Sequence, residues 1–130
     1  FLFTAHSLPE RLLANGDPYV DEIKGAAKAI VAHVDGTVDF DNAWQSVGRT
    51  ADKWIGPNVE DVTEHLIKVE GYEEIIYMPF GFVADNLETL YDNDIECKEQ
   101  VEALGASYKR LDMPNTHEVF ISGMVSELRK

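Results

Sequence analysis

The segment Glu73–Phe80, EEIIYMPF, constrains the fold more than any other stretch. Its apolar residues come in succession rather than in alternation. Such a run, bounded by turn formers, predicts a parallel strand covered on both faces. Parallel strands need crossover connections, which are usually helical. The flanking sequence supplies them. Phe1–Ala5 reads as a short strand, and Val20–His33 reads as a helix with Ile23, Ala26, Ala27, Ile30 and Val31 along one face. A second strand falls within Val38–Val47, centred on Ala43–Ser46. Asn58, a favoured N-cap, precedes a helix over Val59–Val69 whose Glu60, Asp61 and Glu64 complement the positive helix start. Gly71 ends that helix. An acidic helix follows Phe80 and stops near Gly105, Ser107–Met113 reads as a fourth strand, and the last helix carries Val119, Phe120, Met124 and Val125. The order β-α-β-α-β-α-β-α predicts an α/β domain: a four-stranded parallel sheet with helices on both faces and right-handed crossovers.

Ligands of such sheets bind outside the carboxyl ends of the strands. Three loops occupy that edge: AHSLPERL (Ala5–Leu12), SVGRTADKWIGP (Ser46–Pro57) and GFVADNLE (Gly81–Glu88). His6 ends the first strand, as a metal ligand or proton acceptor, or as a histidine hydrogen-bonded in a turn. Glu88 lies in the first turn of the acidic helix, near the same edge. A histidine and a carboxylate brought together there could hold a divalent metal or share a proton transfer. Leu87, Leu90, Tyr91 and Ile95 recur at helical spacing, and Asp85, Glu88, Asp92, Glu96 and Glu99 fall in one narrow stripe that holds no Lys or Arg. Like charges at this spacing cost a few tenths of a kcal/mol per pair, roughly. Two readings stay open: a solvated helix face, or a ladder of oxygen ligands for a hard cation such as Mg²⁺ or for ferrous iron. Trp44 and Trp54 flank the second loop. Trp44, inside a strand, suits the core; Trp54, beside Gly56-Pro57, suits a flat apolar ligand. His33, His65 and His117 read as surface or capping residues.

The net charge of −13 argues against nucleic-acid backbones and anionic lipid as partners, because both need clustered Lys and Arg. The single cysteine, Cys97, can close no internal disulfide and reads as structural. No apolar run approaches the ~20 residues of a membrane span. The opening FLFTAH lacks both Met and a polar lead-in, which reads as a fragment cut just before a strand.

Three segments together, TAHSLPE (Thr4–Glu10), WQSVGRTADKWIGP (Trp44–Pro57) and PFGFVADNLETLYDNDIEC (Pro79–Cys97), resemble the signature segments of ferrochelatase. GDPY (Gly16–Tyr19) and GASYKRLDMPN (Gly105–Asn115) extend the likeness over nearly the whole chain, and it is strongest to the soluble coproporphyrin III enzymes of Gram-positive bacteria. The resemblance implies a chelatase-like fold in which residues 1–130 are the C-terminal one of two similar Rossmann-like domains, its partner the absent N-terminal domain. It implies insertion of Fe²⁺ into a porphyrin, coproporphyrin III or protoporphyrin IX, in cytoplasmic haem synthesis, with iron as substrate and no required cofactor. His6 and Glu88 would be the catalytic and metal-binding pair. Asp92 and Glu96 would be outer metal ligands with a possible Mg²⁺, and Ser7, Leu8, Pro9, Trp54 and Phe82 would contact the porphyrin. Many family members read DHLE or DHIE where this chain reads DNLE, so Asn86, which cannot titrate near neutral pH, alters any proton relay through that position. Two other readings are a half-domain that binds metal or tetrapyrrole without catalysis, and a chelatase for another metal such as cobalt.

Overall fold

The computed structural model describes residues 1–130. Four strands, β1 (Leu2–His6), β2 (Asp41–Gln45), β3 (Glu74–Pro79) and β4 (Ser107–Arg110), form one sheet in the order β2-β1-β3-β4. Every pairing is parallel. The helices are α1 (Arg11–Ala14), α2 (Tyr19–Val31), α3 (Val59–Lys68), a π-helix (Thr89–Cys97) that continues directly into α4 (Lys98–Ala103), and α5 (Glu118–Leu128). The α/β architecture read from the sequence is therefore the one observed. Because the chain leaves β1 for β2 on one side and crosses back to β3 on the other, the order reverses at β1, and a crevice opens at the strand carboxyl ends there.

Strand alternation sends Leu2, Thr4 and His6 of β1 to one sheet face and Phe3 and Ala5 to the other. On the first face Leu2, Ala43, Ile75 and Tyr77 pack against Val59, Val62 and Leu66 of α3 and against Cys97 and Val101. On the second, Ala5 and Trp44 join Ile55, with Leu13, Tyr19, Val20 and Ile23 of α1 and α2 laid over them. Trp44 is buried, as its place in a strand implied. Fully burying an aliphatic or aromatic side chain stabilises by about 1.5–3 kcal/mol over leaving it exposed. The central strand is buried along most of its length: Leu2, Phe3, Thr4 and Ala5 all lie in the interior.

Two expectations are corrected, for β3 and for the acidic helix. The run in β3 is not covered evenly: Ile75, Tyr77 and Pro79 are buried, while Ile76 and Met78 on the opposite face are half-covered. No residue of α5 is buried, so its apolar side chains face outward. The acidic helix departs most. Its middle is π rather than α, so each turn holds nearly one residue more. Thr89, Asn93 and Cys97 form its buried row. The apolar set that recurs at α spacing is turned out, with Leu87 84% exposed and Leu90, Tyr91 and Ile95 also exposed.

Asn58 does occupy the N-cap of α3, but its side chain makes no capping bond. Gly71 and Gly105 end their helices with φ of 79° and 85°, the left-handed conformation in which a side chain would be strained. Cys97 is buried, and desolvation pushes its thiol up to about 12, which leaves it unreactive. His33, just past the end of α2, bonds the carbonyl of Ala29, and His65 pairs with Glu70, both at the surface.

Candidate active site

Three chain segments reach the sheet's carboxyl edge, and each delivers one polar group to the same point. β1 ends at His6. β2 ends at Gln45 and hands over to Ser46. After β3, the loop turns into the helix that carries Glu88. Asn86 makes that last placement definite: its Oδ1 accepts a hydrogen bond from the Thr89 backbone N–H at 3.0 Å, the geometry of an N-cap. Its Nδ2 donates to the Ala84 carbonyl at 3.2 Å. The asparagine at the position of departure is thus committed to starting the helix. Glu88 follows in the first turn, where a carboxylate is favoured by the helix dipole.

His6 Nδ1 lies 2.7 Å from Glu88 Oε1, with side chains 35% and 33% exposed. An ionised carboxylate only accepts, so this contact puts the ring proton on Nδ1. Nε2 has no protein partner and carries the ring's lone pair whenever the imidazole is neutral. Tyr19 Oη donates to the His6 carbonyl at 2.9 Å and holds the strand end in place. Burial pushes the Glu88 carboxyl up, but hydrogen bonds from His6 and Ser46, the charge of His6 and the nearby Gln45 amide outweigh it. Its net position is below the ordinary value of 4.5.

Ser46 is a site residue that sequence reasoning missed. Its φ of 59° is left-handed, a conformation that costs about 1–3 kcal/mol for a residue with a side chain. The strain aims its hydroxyl between two acids: Ser46 Oγ donates to Glu88 Oε1 at 2.8 Å and also meets Asp92 Oδ2. One hydroxyl proton can serve only one carboxylate at a time. The second contact is one that a cation or a shared proton would relieve. We expect Ser46→Ala to let the Glu88 carboxyl rise toward its ordinary value. Carboxyl-selective NMR titration checks this, and an unmoved midpoint would remove Ser46 from the site.

Glu88, Asp92 and Glu96 line a cavity of about 580 Å³ together with Gln45, Ser46, Asn58 and Glu60. Glu60, read from sequence only as a helix-start acid, is the second member that was missed. Asp85 and Glu99 leave the row. Asp85 is paired instead with Arg110 of β4 at 3.3 Å and bonded to Asn115, a base that pairs with neither Glu88, Asp92 nor Glu96. No group of three or more His, Cys, Asp or Glu side chains converges closely enough to enclose a metal ion. The row therefore offers oxygen ligands one or two at a time, with water completing any shell. That is how a hard, strongly hydrated divalent ion is commonly held.

The other expected contact residues are less exposed to a ligand. Ser7 is buried, and its hydroxyl donates to the Ile55 carbonyl at 2.7 Å. Leu8 packs against the smaller core cluster, and Pro9 bridges to Trp54. Together they fasten the first loop to the second. The Trp54 ring lies across Gly48, where a Cβ would come within 2.1 Å of it, so a side chain there would displace the indole. Phe82 sits half-exposed on the third loop.

A model of the ferrochelatase family matches residues 1–130. The coproporphyrin III ferrochelatase of Oceanobacillus iheyensis is 49% identical over 129 residues, covering 99% of this chain and 41% of that protein. That of Bacillus subtilis is 45% identical, again over 99% of this chain and 41% of its own length. The chain thus spans about two fifths of the length of the curated relatives it matches. Among solved structures, a putative cobalamin (vitamin B12) biosynthesis CbiX protein from Marinobacter aquaeolei VT8 superposes with a TM-score of 0.67, covering 98% of this chain and 92% of that one. At 11% identity that likeness concerns the fold alone.

Proposed function

Since the chain belongs to the ferrochelatase family, we propose that it is the C-terminal, site-bearing domain of a longer enzyme that inserts ferrous iron into a porphyrin in haem synthesis in the cytoplasm. The observation that carries the reading is the His6–Glu88 pair, held at the sheet's carboxyl edge with Nε2 free beside a carboxylate-lined cavity. Metallation must strip water from Fe²⁺ and remove two pyrrole protons. A neutral imidazole with a free lone pair suits proton removal. Glu88, held ionised at neutral pH by its hydrogen bonds, stabilises the imidazolium that results. Asp92 and Glu96 extend outward from Glu88 and would hold the incoming hydrated ion, or a resident Mg²⁺, through water. Trp54 and Phe82, on neighbouring loops, would give the macrocycle an apolar wall, and Ser7, Leu8 and Pro9 would shape the loop beneath it.

Coproporphyrin III is the substrate named for the relatives, and it is the one we propose here. The half-open site and the outward apolar side chains of Leu87, Leu90, Tyr91 and Ile95 support a second domain closing over this one. No helix is long and apolar enough to cross a membrane.

The test joins this chain to the part of the Oceanobacillus iheyensis protein that it does not match, and follows iron insertion into coproporphyrin III by absorbance. The fused protein is expected to turn over at a rate comparable to the parent. The 130-residue chain alone is expected to bind Co²⁺, as a stable mimic of Fe²⁺, without turnover. A fused protein that folds but metallates no porphyrin with iron would overturn the assignment. Preference for cobalt over iron in the same assay would favour a chelatase for that metal.

A further inference from the structure

Behind the His6–Glu88 pair runs a buried line of polar side chains that the reaction itself does not use. It crosses three elements. Thr4 on β1 places its Oγ1 at 3.4 Å from Asn93 Oδ1 on the π-helix. Asn93 Nδ2 donates to Gln45 Oε1 at the end of β2, at 3.2 Å. Thr4, Asn93 and Gln45 are all but fully buried. The remaining donor, Gln45 Nε2, has no partner at bonding distance, and Gln45 lines the same cavity as Glu88.

We propose that Asn93 is a positioning residue: it fixes the orientation of the Gln45 amide so that its N–H donors are aimed at the Glu88 carboxylate. This rests on the reading of Glu88 as a site residue, and it adds a group that acts through another.

The polarity of the line follows from what each group can do. An ionised carboxylate accepts and cannot donate. Gln45 turns its carbonyl oxygen to the Asn93 Nδ2 donor, which leaves its unpartnered NH₂ available to Glu88, on the wall of the same cavity. Asn93 must then present its own NH₂, and its oxygen receives the Thr4 hydroxyl. Reversing the Gln45 amide would set NH₂ against NH₂ at Asn93 and oxygen against carboxylate at Glu88. Two unsatisfied buried contacts would replace one good one. The π-helix carries both sides of the arrangement. Its wider turn directs Asn93 inward in one row with Thr89 and Cys97, while Glu88, Asp92 and Glu96, at the same spacing, keep to the cavity. An aspartate at position 93 has nearly the shape of asparagine but only accepts, so it would draw the Gln45 NH₂ to itself.

The experiment is side-chain amide NMR on the 130-residue chain, with Co²⁺ as the metal probe. In the unaltered chain the Gln45 Nε2 protons are expected to show nuclear Overhauser contacts to Ser46 and Glu88. In Asn93→Asp those contacts are expected to move to residue 93, and Co²⁺ binding is expected to weaken about tenfold, as for other outer-sphere partners. A role in stability alone would lower the melting temperature and leave the Gln45 contacts where they were. That result in a folded Asn93→Asp chain overturns the proposal. So does an unaltered chain whose Gln45 Nε2 protons contact Asn93, which decides the matter even if the variant does not fold. Loss of Co²⁺ binding by the unaltered chain would count against the metal reading of the site, while the amide contacts still decide the role of Asn93.

Discussion

His6→Ala, in the protein completed as described above, is expected to reduce iron insertion by at least about a hundredfold with little change in stability. Positioned proton transfer contributes about 10²–10⁴-fold to a rate. The substitution removes the ring that pairs with Glu88, itself a residue of the cavity wall. Glu88 keeps a hydroxyl donor in Ser46, shared with Asp92, and is one-third exposed, so water can replace the lost bond. The His6 side chain is 35% exposed, so the loss of packing is small. The measurement is kcat and KM for iron and porphyrin together with a urea unfolding midpoint. Near-normal turnover would sink the catalytic role. A fall in activity matched by a collapse in stability would recast His6 as a structural residue.

The second large effect is on stability and comes from Arg110. Its side chain is 14% exposed, and it is the hub of a charge network behind the site. Nε donates to Asp94 Oδ1 at 2.7 Å and Nη2 to Asp94 Oδ2 at 3.0 Å, a two-pronged pairing. Nη1 also lies 3.3 Å from Asp85. Tyr108 Oη donates to the same Asp94 at 3.0 Å. One guanidinium thereby ties β4, the π-helix and the loop leading to Glu88. Arg110→Met keeps the length of the stem and leaves two acids close together without a base. We expect a loss of about 2 kcal/mol at pH 7, below the value for a fully buried pair because the acids are partly solvated.

The pH dependence gives a sharper check. Burial pushes the Asp94 carboxyl up, but the bonds from Arg110 and Tyr108 and the charges of Arg110 and Lys98 bring it below its ordinary 3.8. A carboxyl lowered on folding stabilises the folded state above its unfolded value, and that contribution is lost as pH falls through the folded value. The gap between wild type and Arg110→Met should therefore be full at pH 7, still present at pH 4, and smaller at pH 3. Urea unfolding at the three values measures it. A gap that does not shrink at pH 3 would mean that Arg110 acts through packing rather than charge.

Some of this was legible in the sequence because it depends on local pattern. An apolar run, two glycines after helices and the alternation of strand with helix are each set by neighbours in the chain. Together they give a parallel sheet and an edge at which His6 and Glu88 must both arrive. The face that the acidic helix buries was not legible. Apolar residues at α spacing mark a core face only if the helix is α and if the core is where they point. Here the turn is wider, and the buried row is Thr89, Asn93 and Cys97. Ser46, Glu60 and Arg110 escaped notice for a related reason. Each acts on a residue far away in the chain: Ser46 on Asp92, Glu60 in a cavity with Glu96, Arg110 on Asp85.

The sequence by itself therefore determined the fold class, the carboxyl edge of the sheet and the two residues that meet there. Backbone periodicity and loop placement are short-range properties, and they suffice for that. The tertiary structure alone decided the handedness of Ser46, the π-turn, the polar line through Asn93 and the partner of Asp85. All four depend on which side chains the sheet order β2-β1-β3-β4 brings within about 3 Å of one another, a distance at which hydrogen bonding and charge outweigh local preference.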